Sequence, residues 1–211
     1  MAPCQETVLF DLPYDPTWYC ALDPQETFMF VEPKLDEVVN GKRGMLNGIQ
    51  VCLESECLVS AVSLMFSSVD ALAALTRPIG QQSTNGAVFK AWVDRYIQSD
   101  KILGCTSDDL WGARCGVLHL YSPDSDLSAK NKARRIYYQW SAEPAVEAAR
   151  TIPAGSLVIY VEALHKAVVQ AAHDFIADSE MDSQVKQLVQ SHLPSMLCYE
   201  PYPALAVTLD A

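Results

Sequence analysis

The sequence predicts a mainly α-helical fold: a bundle of four to five helices with an N-terminal extended arm and one short β element. Three observations carry that expectation. Apolar residues recur at alternating four- and three-residue steps through two long stretches, the pattern of helices packed on helices. Pro3, Pro13, Pro16, Pro24 and Pro33 crowd the N-terminal part, where they break any helical pattern. Only the segment 133–140 concentrates aromatic and branched residues outside the arm, with Ile136, Tyr137, Tyr138 and Trp140. The expected organisation is an extended arm over 1–47, a helical domain over 48–193 and a C-terminal tail over 194–211.

Taken in order, the arm holds two short apolar runs, 7–10 and 27–31, bounded by Pro and Asp and read as short strands. The turn Asn40-Gly41-Lys42-Arg43-Gly44 closes it. One long helix is expected over 48–75, with Leu58, Val62, Met65, Val69 and Leu72 as its seam, and Arg77-Pro78 stops it. A second helix over 84–98 places Phe89, Trp92, Val93 and Tyr96 on one side. Thr106 or Ser107 then caps a third helix, with Asp108 and Asp109 in its first turn, where the helix dipole favours acids. It runs to about Tyr121 and ends at Ser122-Pro123. After the strand, Pro153 and Gly155 precede a fourth long helix with Leu157, Val161, Leu164, Val168, Ala171 and Phe175 as its seam. A further short helix is read over 181–193. The first and fourth long helices are expected to pack lengthwise through their seams.

Composition narrows the function. The chain has 211 residues, half of them apolar, and a formal charge of −11. That is globular composition, and no apolar run is long enough to span a membrane. So acidic a chain argues against non-specific binding along a nucleic-acid duplex, which needs many Lys and Arg contacts to phosphate. A local basic site remains open to it. The densest positive cluster is Lys130, Lys132, Arg134 and Arg135, a candidate contact for a phosphate backbone or else a solvated loop. The seven cysteines are scattered, without a CxxC pair, and the first residues lack the basic and apolar regions of a secretory signal. Free thiols in a cytoplasmic protein are therefore expected. No two Cys or His residues at ligand spacing lie near another such pair, so no metal is expected, and no cofactor either. A Gly-x-Ser-x-Gly elbow and a phosphate-binding Gly-rich loop are both missing, which argues against a serine hydrolase and an NTPase.

The third helix carries most of the information. On a helical wheel Leu110, Ala113, Val117 and Leu120 form one stripe, suited to the bundle core. Trp111, Cys115 and Leu118 form a second, flanked by Arg114 and His119. Two stripes imply burial from two directions, and the second is a candidate dimer interface, though the arm or another helix of the same chain could equally cover it. Gly112 and Gly116 mark a third side, open to close backbone approach.

The string Leu110-Trp-Gly-Ala-Arg114-Cys-Gly-Val-Leu-His119 resembles the R-x4–6-H motif of the HEPN superfamily, the nucleotide-binding domain of higher eukaryotes and prokaryotes. Ser68-Val-Asp70-Ala-Leu-Ala on the first helix is similar to the acidic position of many bacterial HEPN-like proteins. The resemblance covers about residues 48–192 and leaves the arm outside. It implies a homodimer whose motif helices meet at a composite cleft, and a metal-independent endoribonuclease with Arg114 and His119 as the central pair. Arg would hold the phosphate and His would move the proton while the RNA 2′-OH attacks. Asp70 is a third candidate, able to orient either residue. On an ideal helix Arg114 and His119 lie about 140° apart, so one chain is expected to have difficulty aiming both at one phosphate. The resemblance also implies a toxin or phage-defence setting, with an antitoxin or other protein partner. Where catalytic members often carry Asn, Asp or His after the Arg, this chain has Cys115. That departure keeps open a non-catalytic alternative, a dimeric helical interaction or ligand-binding module.

Overall fold

The computed structural model describes residues 34–140 and 152–196. The expected arm strands at 7–10 and 27–31, and most of the tail, lie outside the described residues. What is described is mainly helical, with one small parallel sheet.

Helix α1 (Leu35–Asn40) comes first, followed by the expected turn at 41–44 and α2 (Met45–Glu54). Residues 35–39 and 45–47, on either side of that turn, were expected to belong to the extended arm. They begin the helical packing instead, because Leu35 and Val39 are four apart and both are buried in the core.

The long helix expected over 48–75 is two helices. Helix α3 (Leu58–Ala74) starts anew after a corner at 55–57, where Glu56 takes a left-handed conformation with φ 55°. The apolar seam begins only at residue 58, so its periodicity holds for α3 and says nothing about α2.

Helix α4 (Gly86–Trp92) is capped by Asn85, whose side chain accepts from the N–H groups of Ala87 and Val88. It widens into a π turn over Val93–Ile97 and ends at Gln98 with φ 49°. The short α5 (Ser99–Ile102) leads to α6 (Ser107–Leu120), the predicted third helix, and then α7 (Asp126–Ala129).

Strand β1 (Ile136–Gln139) pairs in parallel with β2 (Leu157–Tyr160), with Ile136 opposite Leu157 and Gln139 opposite Tyr160. Leu157 was expected in the fourth helix. The run Leu157-Val-Ile-Tyr160 is branched and apolar enough to pair as a strand, and α8 (Val161–Met181) starts directly after it. Helix α9 (Ser183–His192) is capped by Asp182.

The predicted seams meet. Helix α3 packs against α8, with Val62, Met65, Val69 and Leu72 buried on one and Val161, Leu164, Val168, Ala171 and Phe175 on the other. The π turn adds an aromatic cluster: Phe175 lies 5.9 Å from Trp92 and 5.3 Å from Tyr96 between ring centroids, both edge-on. Among the described residues no helix is long and apolar enough to cross a membrane.

Candidate functional site

Helix α6 is fixed at both ends and along one side. Thr106 caps it, accepting from the Asp109 N–H, and Asp109 reaches back to the Thr106 N–H. This reciprocal box satisfies two donors that a helix start leaves unpaired. At the other end Tyr121 turns left-handed, with φ 48°, and stops the helix. The two glycines mark a side of close approach, as their spacing suggested. A Cβ on Gly112 would lie 2.9 Å from the Ala133 Cβ, and one on Gly116 would lie 2.5 Å from the Ser122 carbonyl oxygen. The chain after α6 folds back tightly onto that side.

Arg114 projects from α6 toward α3. Its Nη2 donates to Asp70 Oδ2 at 2.6 Å, and its Nη1 lies 3.2 Å from His119 Nε2. The guanidinium also sits over the Trp111 ring, 5.2 Å from its centroid. The structure therefore brings Asp70, Arg114 and His119 together within a single chain, which corrects the expectation from the helical wheel. The 140° separation describes where the Cα–Cβ bonds start; it takes no account of how far an arginine reaches along the helix axis.

An arginine has no acceptor, so this contact is a hydrogen bond when the His119 ring carries its proton on Nδ1 and leaves Nε2 to accept. His119 is exposed, while the Asp70 and Arg114 side chains are only 22% and 17% exposed. Two polar atoms of this cluster, Asp70 Oδ1 and Arg114 Nε, are buried without a hydrogen-bond partner among the described residues. Their pairing is thus a single-point contact that leaves donor and acceptor capacity unused.

Trp111 proposed a dimer face from sequence. In the chain itself it packs on α4, with its ring centroid 5.2 Å from that of Phe89 and its indole edge against Gly86. Much of the cover that the second stripe needs therefore comes from within the chain. Cys115 and Leu118 stay half-buried. Leu120 and Tyr121, next to His119, are 66% and 71% exposed.

The basic cluster divides. Arg134 donates from Nη2 at 2.6 Å and from Nε at 3.1 Å to Asp109 Oδ2, and its backbone N–H donates to Oδ1 at 2.6 Å. Burial alone would push the Asp109 carboxyl up. The Arg134 guanidinium and the N–H groups of Arg134 and Thr106 outweigh it and hold the carboxyl below the usual carboxylate range. Arg135 pairs with Asp124. Lys130 and Lys132 remain exposed.

Lys132 and Arg135 help line a cleft of about 370 Å³ with Thr106, Asp109, Asn131 and Ser156. None of Asp70, Arg114 and His119 lines it. Among the described residues no three or more His, Cys, Asp or Glu side chains gather as a metal site.

The chain matches no family model, no curated protein and no solved structure.

The triad rests, then, on its own geometry. Sequence reasoning singled out all three of its residues. It did not anticipate Trp111 as a platform under Arg114, although Trp and Arg three apart on a helix share a face. It also missed Asp109 as the partner of Arg134. No local signal links two residues 25 positions apart.

Proposed function

We propose that the chain is a HEPN-like endoribonuclease, with Asp70, Arg114 and His119 as its working centre. The observation that carries this reading is the junction of the three side chains, with Arg114 bridging Asp70 and His119. Arg114 is held by Asp70 and steadied over Trp111, so it presents a fixed cation to a phosphate. A phosphodiester taking Arg114 Nη1 would release His119 Nε2, whose lone pair can then accept the proton of the 2′-OH. The oxygen attacks phosphorus and the P–O5′ bond breaks; the protonated His119 gives its proton to the departing O5′, which leaves a cyclic phosphate and a 5′-OH strand.

A second copy of the chain is part of this proposal. Leu120 and Tyr121, exposed beside His119, supply apolar surface on which the motif helix of a partner subunit could close the cleft. Lys130 and Lys132, both exposed, would contact the RNA backbone. The toxin-type setting and an antitoxin partner rest on the family resemblance alone.

The alternative is a non-catalytic helical interaction module. It is favoured by Cys115 beside Arg114 and by the commitment of Arg114 to Asp70, an arrangement that also serves plain packing of α6 on α3.

The experiment is RNA cleavage in EDTA by the wild type and by Arg114→Ala and His119→Ala. The ribonuclease reading expects cleavage by the wild type and losses on the order of 10²-fold or more in both variants. Cleavage that survives His119→Ala removes the proton carrier and the mechanism with it.

A further inference from the structure

The corner between α2 and α3 breaks two local preferences at once. Its left-handed residue is Glu56, at a position where glycine is usual. The residue at the N-cap of α3 is Cys57, whose side chain makes no capping hydrogen bond. Departures of this kind gather at sites kept for something other than stability.

The hydrogen bonds around the corner define its shape. The Cys57 N–H donates to the Cys52 carbonyl at 2.8 Å, and the Glu56 N–H donates to the Leu53 carbonyl at 3.0 Å. This is the paired six-to-one and five-to-two pattern of a Schellman motif. In it the first and sixth residues bring their side chains together, commonly as an apolar contact. Here those two residues are Cys52 and Cys57. Both are free thiols, Cys57 exposed and Cys52 partly buried. The Cys57 thiol turns back over the corner, with Sγ 3.6 Å from the Ser55 carbonyl oxygen.

We propose that Cys52 and Cys57 are a thiol modification site that closes to a disulfide when the protein meets a hydroperoxide. The accessible Cys57 thiolate attacks one peroxide oxygen. The O–O bond breaks, hydroxide leaves, and Cys57 becomes a sulfenic acid. Cys52, held on the neighbouring turn, then attacks the Cys57 sulfur. The S–S bond forms, the S–O bond breaks, and the oxygen leaves as water. Two thiols give up two electrons and two protons, and one peroxide becomes two waters. The cross-link ties the end of α2 to the start of α3, the helix that carries Asp70. It is reversed by a dithiol, which takes the disulfide through a mixed intermediate.

The sequence makes the test direct. Between Arg43 and Lys90 the one basic residue is Arg77, and trypsin does not cut there because Pro78 follows, so both cysteines are released in one peptide, 44–90, that holds no other cysteine. The full-length protein is treated with hydrogen peroxide while folded, alkylated, digested and weighed. The expected peptide lacks two hydrogens, takes up no alkyl group, and recovers both alkylation sites after dithiothreitol. In Cys57→Ser the same peptide keeps an alkylatable or sulfenylated Cys52. A melting temperature raised by about 5 °C should accompany closure, since the link constrains the unfolded chain. Three results would overturn the proposal: peptide 44–90 alkylated twice after peroxide, Cys57 carried on to sulfinic acid beside an alkylated Cys52, or a link that lowers the melting temperature.

Discussion

Asp70 on α3 and Arg114 on α6 meet at 2.6 Å across 44 positions of the chain. This contact ties the motif helix to the central helix of the bundle and aims Arg114 along its own helix toward His119. Because both side chains are largely covered, removing one partner leaves a partly buried charge without its counterpart. Asp70→Ala should destabilise the fold by about 1–3 kcal/mol. Urea unfolding would measure it, with Arg114→Ala and the double variant completing a coupling cycle. A coupling near zero would mean that the pair does not hold the helices together.

The Asp109 and Arg134 pair makes stability pH-dependent at the acid end. The folded carboxyl sits below the usual range, so its contribution is full above the unfolded carboxyl's titration, near pH 4. It is lost as pH falls through the folded value. Melting temperature followed from pH 7 to pH 3 should fall less steeply below about pH 4 in Asp109→Asn than in the wild type. The same substitution should cost about 2–4 kcal/mol at neutral pH, discounted because Arg134 stands half in solvent. Parallel acid profiles for the two proteins would count against this role.

Gly116→Ala tests the close side of α6. Its Cβ would meet two backbone oxygens, Ser122 at 2.5 Å and Asp124 at 2.7 Å, and backbone cannot turn aside as a flexible side chain does. A loss of about 1–3 kcal/mol is expected, read by thermal or chemical unfolding. Neutral behaviour would show that the turn after α6 relaxes freely.

The bundle seam predicts large effects at Met65 and Leu164, both fully buried on facing helices. Truncating either to Ala should cost about 2–5 kcal/mol, again by chemical unfolding. A cost below about 1 kcal/mol at both would contradict the packing of α3 on α8.

Much of this fold could be read from the chain. Thr106 and the acids after it mark the start of α6, and the spacing of Val62, Met65, Val69 and Leu72 marks the inner face of α3. The break at Glu56 could not be read, because a glutamate in a left-handed turn carries no signal. The strand at Leu157–Tyr160 was hidden for a different reason: a branched apolar run directly before a helix continues its periodicity. At the site, the residue types at 70, 114 and 119 were legible, but their meeting was not. It depends on the reach of Arg114 and on the crossing of α3 and α6, and neither is a property of spacing along one helix.

The central claim is that Arg114 and His119 act together on a phosphodiester through a neighbouring 2′-OH. The most direct measurement uses an oligodeoxynucleotide that contains one ribonucleotide, incubated with the full-length protein in EDTA. The account predicts a single cut on the 3′ side of the ribonucleotide, leaving a 2′,3′-cyclic phosphate and a 5′-OH. It also predicts no cut in the all-deoxy strand and none with His119→Ala. Cutting of the all-deoxy strand, or a product ending in a 5′-phosphate, would contradict it.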